Sequence, residues 1–546
     1  MNALLAVTSA LALAAAGSGP EHPHHSPQLG TLSFDTTCSP VAHALFMEGL
    51  GWLHSFEYED AQRRFSKAAE TDPGCAIAHW GEAMSYYHPL WVPPTAGELE
   101  KGRSAIAGAK AAAAKSRREQ DYVAAVEAFY RDSDRLDHKT RALAYTAAME
   151  QLHERYPDDR EAGVFYALSL IAAGTMAKDP AFTKEKQAAA ILNAVLKENP
   201  DHPGVAHYLI HGFDYPPLAE MALPAARRYA SIAPASAHAQ HMPSHIFTRL
   251  GLWDEAIKSN LASQAAARGM MKAKGLAGAS REQLHAMDYL AYAYLQTGRN
   301  RDAQQVLSEL NAIERVDEPV FSVAYAATAI PARLVLERRN WKAAASLELP
   351  ANVRTLAPLE KFRWGEAHVH FARAIGAARS GNQAMARKEL ALLAAVEQSL
   401  VIPPGTYDWR KPVAVERQIA EAWAARAEGK SEDAVRIMRA AANLDDATEK
   451  HPVTPGSVLP AREQLGELLL ELGRPGEAFA EYEASLKRAP RRLAGLYGAA
   501  RSAELAGKKS MATRYFAELA NVTKASDGTL PEVKEARSFA GDLAGR

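Results

Sequence analysis

A three-position pattern recurs six times along the 546-residue chain and limits its fold more than any other feature. Gly251, Gly298, Gly381, Gly429, Gly473 and Gly507 are each followed five residues later by an alanine: Ala256, Ala303, Ala386, Ala434, Ala478 and Ala512. Seven residues before each glycine stands a small residue: Ser244, Ala291, Ala374, Ala422, Gly466 and Ala500. Glycine enters the left-handed backbone region that other residues avoid, so it ends a helix. Small residues on either side of that stop let two antiparallel helices approach closely. The pattern predicts helical hairpins repeated along the chain. The stretches between are rich in Ala, Leu, Glu and Arg and almost lack alternating β-branched runs, which predicts helix nearly throughout.

This spacing resembles the tetratricopeptide repeat, a helix–turn–helix unit of about 34 residues. The clearest copy is GLGWLHSFEYEDAQRRFSKAAETDP, where Gly49, Trp52, Ala61, Phe65, Ala68 and Pro73 hold the signature positions. The segments ending at Pro200 and Pro234, and the pair around Pro490, keep it too. Repeats then begin near residues 42, 76, 126, 160, 203, 237, 284, 325, 367, 415, 459 and 493, with loose fits over 95–160. Insertions fall at about 89–97, 176–186, 271–283, 401–412 and 446–458. The resemblance implies an all-α, right-handed superhelical solenoid with a concave and a convex side. Its expected organisation is an N-terminal array over 41–270, a central array over 271–448, an inter-repeat loop over 449–460 and C-terminal repeats over 461–546.

The chain opens MNALLAVTSALALAAAGSGP, with an uninterrupted apolar run over residues 4–16 before Gly17-Ser18-Gly19-Pro20. That reads as a signal peptide over 1–16 followed by a leader over 17–40, so the mature chain is expected in the periplasm or outside the cell. The run is short for a membrane span, although no Lys or Arg precedes it and an uncleaved anchor is the rival reading. No later segment approaches eighteen uninterrupted apolar residues. The two cysteines, Cys38 and Cys75, could form a disulfide in an exported chain, and the sequence leaves that open. A net charge of −1 offers no footprint for nucleic acid or anionic lipid. The chain has no GxGxxG, GxxxxGK[ST], HExxH, GxSxG or CxxC motif, so nothing marks nucleotide binding, serine hydrolysis or thiol redox chemistry.

Histidine is the outlier: His202, His207, His211, His238, His241 and His245 fall within 44 residues, out of 19 in the chain. In the resembling family the ligand groove is lined by positions two, five, nine, twelve and thirteen of each first helix. Counting from residue 203 places His207 and His211 at positions five and nine; from 237, His238, His241 and His245 take two, five and nine; from 284, His285 and Asp288 take two and five. Residues four apart share one helical face, and adjoining helices lie about 8–10 Å apart. Two HxxxH pairs could therefore converge on one divalent transition metal, with zinc, copper, iron and nickel all suited to imidazole. The expected ligands are His207, His211, His241 and His245, with His238, His285 or Asp288 close by and Asp214 as a ligand or a partner to one. Pro243 should distort the helix, and a start near Met242 would move His238 into a loop. A metal-free polar groove is the competing reading.

The resemblance also puts His43, Phe46, His54, Trp80, Met84, Tyr87, His88, Tyr292, His368 and Phe371 at groove positions. That lining suits a small molecule or peptide, or simply fills a tight superhelix. Arg333 is the one basic residue placed in the central groove, too little for a clamp on peptide carboxylates. PLWVPP (89–94) and HPVTPGSVLP (451–460) could be lids, though plain spacers are preferred; HPHHSP (22–27) could chelate metal or be a disordered leader. The functional expectation is an exported scaffold with a His-lined, metal-occupied site for ligand or partner binding. Its rivals are a metalloenzyme that activates water or oxygen at an open coordination position, and a metal-free protein- or peptide-binding adaptor.

Overall fold

The computed structural model describes residues 28–90 and 93–544, so the expected signal peptide, the HPHHSP stretch and two residues of PLWVPP lie outside the described residues. Among the described residues the chain is helix and connecting turns, with one isolated bridge between Ala279 and Val316. The first helices of successive hairpins are Pro40–His54, Ala76–Tyr87, Arg117–Tyr130, Arg160–Ala177, Pro203–Phe213, Ala237–His241 continued by Pro243–Arg249, Arg281–Gln296, Phe321–Glu337, Trp364–Arg379, Arg410–Ala427, Ala461–Glu471 and Leu493–Leu505. The third begins at Arg117 rather than near 126. Its boundary is an extended Ser116 that follows the run over residues 109–115, which carries no proline or glycine mark.

Each of the six patterned glycines sits just past a first helix with a positive φ, between 65° and 81°. The N–H of the next residue then reaches back to a carbonyl in the last turn. Leu252 donates to Phe247 O (2.8 Å), Arg474 to Leu469 O (2.9 Å) and Lys508 to Ala503 O (2.8 Å). The alanines five residues on are buried against the first helix, as are the small residues upstream. A Cβ on Gly466 would lie 2.7 Å from the Tyr482 ring, which is why that position is small. Two hairpins make the same turn without glycine: Phe56 (φ 56°) and Arg339 (φ 52°) take the left-handed conformation instead.

Among the described residues, long-range contacts cross the interior of the solenoid. An N-terminal strap inserts Leu29 and Phe34 into the core, bonds to the fifth repeat through Thr31 N to Asp201 O (3.0 Å), and is tied to the second repeat by a Cys38–Cys75 disulfide. The hairpin tip at Gly251 packs on the C-terminal repeats, where Trp253 Nε1 donates to Arg491 O (2.8 Å). The fully buried Arg492 binds Tyr292 Oη (2.6 Å), Glu337 (2.7 Å) and Glu463 (2.7 Å). Residues 449–460 are no plain spacer: Val453, Thr454 and Pro455 are buried, and Gly456 O accepts from Arg333 Nη2 (2.7 Å) and Tyr325 Oη (3.2 Å).

Groove positions are therefore mostly interior. Phe46, Trp80, Met84 and Phe371 are fully buried, Trp80 lying edge-on to Tyr122 and Phe165, and Tyr87 stacks on Phe129 at 3.7 Å. These rings hold helices together instead of facing a ligand. His43 pairs with Thr36 Oγ1 (3.0 Å), and His88 closes its helix in a left-handed cap with Nε2 3.4 Å from Glu98. No helix among the described residues is long and apolar enough to cross a membrane.

Candidate metal centre

The clustered histidines meet inside the molecule, but in two groups. Ligand atoms of His207, His211 and His238 lie within 4.8 Å of one another, and so do those of His241, His245 and His285. The helix break at Met242–Pro243 makes this division. His238 and His241 stay helical on Ala237–His241, with His238 joining the pair from Pro203–Phe213 while His241 and His245 join His285 from Arg281–Gln296. The single four-histidine point expected from the spacing is thus replaced by two adjoining triads, whose nearest rings, His211 and His245, have centroids 6.5 Å apart. Asp288 is not a member. Its carboxylate is spent on the buried Arg333 guanidinium, which in turn anchors the 449–460 loop.

Hydrogen bonds at the outer ring nitrogens decide which way the lone pairs point. His207 Nδ1 donates to the carbonyl of His54 (2.6 Å), which can only accept. His241 Nδ1 donates to Asn260 Oδ1 (2.6 Å), and the Asn260 amide is oriented by its own bond to Ala256 O (2.7 Å). His245 Nδ1 donates to Asp214 Oδ2 (3.0 Å). Burial alone would raise the Asp214 carboxyl, but Lys450 (3.1 Å) and Arg249 (2.8 Å) hold it well below the usual carboxylate range, so it accepts. His238 Nδ1 faces Glu282 at 3.7 Å. These contacts direct Nε2 inward. His207 Nε2 lies 3.2 Å from His238 Nε2 and 3.1 Å from His211 Nε2, and His241 Nε2 lies 3.0 Å from His245 Nε2.

Desolvation by burial holds His207, His211, His241 and His285 well below the ordinary imidazole value, and lowers His245 as well. They are neutral donors. With Nδ1 protonated on both His241 and His245, two lone pairs face each other at 3.0 Å, an arrangement that a cation between them turns from repulsive to attractive. Nitrogens bound to one ion at about 2.0–2.1 Å stand roughly 3.0–3.4 Å apart, the spacing of the His207–His238, His207–His211 and His241–His245 pairs. Phe56 and Tyr229 close over the first triad, with ring centroids 4.3 Å and 5.0 Å from His207.

A third group is a contrast. His54 Nε2 and His202 Nε2 each donate to one oxygen of Glu161 (2.9 Å both), His54 Nδ1 accepts from Tyr208 Oη (2.9 Å) and His202 Nδ1 accepts from Val205 N (3.3 Å). Every polar atom there is satisfied by protons alone. His54, expected to line the groove, belongs to this structural network, and Gly204 makes room for it: a Cβ there would lie 2.4 Å from His54 Nδ1. His368 lies apart from both triads, bonded to Thr328 Oγ1 (2.9 Å). Sequence reasoning missed Asn260, Glu282 and Lys450. Asn260 and Glu282 carry no periodic signal, and Lys450 arrives from a loop more than 200 residues away.

Among the described residues, twelve helical hairpins define the architecture. The chain is tetratricopeptide-like. Solved structures similar to it include yeast Tom70, at 12% identity over 92% of this chain and 95% of that chain with a TM-score of 0.32. Another is the human IFIT1 dimer with m7Gppp-AAAA, at 12% identity over 89% and 91% with a TM-score of 0.34. Likenesses of this size carry no argument about activity. No protein-family model and no curated protein sequence matches the chain.

Proposed function

We propose that this tetratricopeptide-like scaffold is an exported metal-binding protein whose centre holds two transition-metal ions, one in each histidine triad. The observation that carries the reading is the His241–His245 pair: both Nδ1 atoms donate outward, and both Nε2 lone pairs converge at 3.0 Å in a buried site. An all-imidazole donor set suits zinc, copper, iron or nickel. Asp214, Asn260 and the His54 carbonyl orient the ligands, while Phe56 and Tyr229 keep bulk water from the first triad. The Cys38–Cys75 disulfide supports export, since such bonds persist in oxidising compartments. A catalytic role is the second reading, favoured by the three-histidine sets: a tetrahedral ion held by three protein nitrogens keeps a position for water, oxygen or substrate. Binding of a protein or peptide partner belongs to the outer faces of the array, because most of the expected groove positions are buried by packing.

Elemental analysis of purified protein offered zinc, copper, nickel and iron tests this. Two ions per chain are expected, with one lost in His211→Ala, one lost in His245→Ala and none lost in Glu161→Gln, all at unchanged helix content by circular dichroism. Wild-type protein that stays metal-free, or Glu161→Gln losing metal as readily as the triad variants, would reject the reading.

A further inference from the structure

Arg249 and Lys450, which hold Asp214 behind His245, also line a cavity of about 130 Å³ on their other side. An engineered cavity of about 150 Å³ is known to admit benzene, so this space suits a ligand of that size. One wall is aromatic. Trp364 and Trp409 stack at 4.1 Å, Tyr325 stands 5.8 Å from Trp364, and Tyr407 lies edge-on to Trp409 at 5.0 Å. The buried residues of the 451–460 loop form part of the lining, and the half-buried Tyr407 and Trp409 stand toward solvent.

The lining also carries Glu416, whose side chain is buried while Oε2 has no hydrogen-bond partner and Oε1 lies 3.7 Å from His368 Nε2. Among the described residues no Lys or Arg pairs with it, and Arg333 acts on it only through its charge at longer range. His368 gives its Nδ1 proton to Thr328 Oγ1, whose own hydroxyl is committed to Ala324 O (2.9 Å), so His368 Nε2 presents a lone pair to the carboxyl. The Arg333 Nη atoms bind Asp288, Tyr325 and Gly456, while its Nε has no hydrogen-bond partner. A second acid of the cavity, the half-buried Asp445, is satisfied by Ala461 N (3.1 Å) and Ser457 Oγ (3.3 Å). A buried carboxyl lining the same cavity as aromatic rings is the recognition chemistry of a positively charged nitrogen. An anion would meet two acids, and a neutral apolar ligand would leave Glu416 unpaired.

We propose that this cavity binds a small organic cation of the alkylammonium class, with Glu416 as its counter-charge and Trp364, Trp409 and Tyr325 as its aromatic wall. The site stands independently of the metal centre. Burial raises the Glu416 carboxyl to about 8 against the opposing charge of Arg333, with Asp445 adding to the rise, so at neutral pH the carboxyl keeps its proton until a cation displaces it. The remaining charged groups of the lining, Arg249, Glu449 and Lys450 near the metal centre and Asp446 with Arg462 and Arg488, are engaged with one another or with Asp214.

Calorimetry and tryptophan fluorescence with tetramethylammonium chloride, and with tert-butanol as its uncharged isostere, test the proposal on the full chain. Tetramethylammonium is expected to bind at least about tenfold more tightly than tert-butanol. It should release a proton at pH 7, read as a binding heat that differs between buffers of different ionisation enthalpy. Glu416→Gln should lose both the charge preference and the proton release, with helix content and metal content unchanged. Equal affinity for the two probes, no binding by folded wild-type protein at millimolar probe, or unaltered binding in Glu416→Gln would overturn it. Should the variant fail to fold, proton release by the wild type decides the matter alone.

Discussion

Asp214 concentrates three demands on one side chain: it orients His245, neutralises Lys450 and Arg249, and stays ionised in a site where burial opposes ionisation. Groups that orient a metal ligand typically change affinity about 10–100-fold when altered. Asp214→Asn is therefore expected to weaken retention at the His241/His245/His285 triad by that factor while leaving the His207/His211/His238 triad loaded, measured by competition with a chromophoric chelator. Glu416 gives a stability prediction of its own. Its folded-state carboxyl titrates at about 8, above the unfolded value of 4.5. Between those values the folded chain keeps a proton that the unfolded chain has lost, so stability falls as pH rises, by up to about 1.4 kcal/mol per pH unit. Glu416→Gln should flatten that slope, and its gain in Tm should be larger at pH 8 than at pH 5. At this scale the clustered histidines were legible, because residues four apart on a helix must share a face. Their partners were not: Asn260 and Glu282 are single polar residues on otherwise ordinary helices, and nothing local marks them.

Hairpins were the most legible elements, since a left-handed turn demands glycine at a position the eye can count. Gly473 and Gly466 separate the two reasons for it. A Cβ on Gly473 (φ 70°) meets nothing within 4 Å, so Gly473→Ala should cost only the backbone strain of about 1–2 kcal/mol. Gly466 is helical, and the buried Tyr482 ring packed between it and Gly498 cannot retreat. Gly466→Ala should cost more than Gly473→Ala despite the better helix propensity of alanine, read from urea unfolding midpoints at constant slope. The Ala- and Lys-rich stretch before residue 126 shows the opposite case, where no punctuation residue marked the start at Arg117. Pro243 is subtler. Its helix break was foreseeable from a missing N–H, but that it keeps His238 in a helix while sending it to a different triad from His241 depends on how the neighbouring repeats pack.

Across the whole molecule, the expected open superhelix is closed by contacts between residues hundreds of positions apart, which leave no local pattern to read. Arg492 is the clearest closing residue, buried between Glu337 and Glu463 under Tyr292. Arg492→Ala would strand two buried carboxylates, and a loss of about 3–5 kcal/mol is expected in chemical denaturation. A simple stack of repeats can open from either end, each unit depending on its neighbours alone. Here the strap joins the first repeats to the fifth, and the 449–460 loop brings Lys450 to Asp214 from the far part of the chain. All six triad histidines are made well before residue 450 and face the interior that the later segment seals. On the proposed metal-binding reading, an ion would have its easiest way in while synthesis or refolding is still incomplete, and its later residence would be governed by how often the late repeats lift away rather than by the strength of the imidazole bonds.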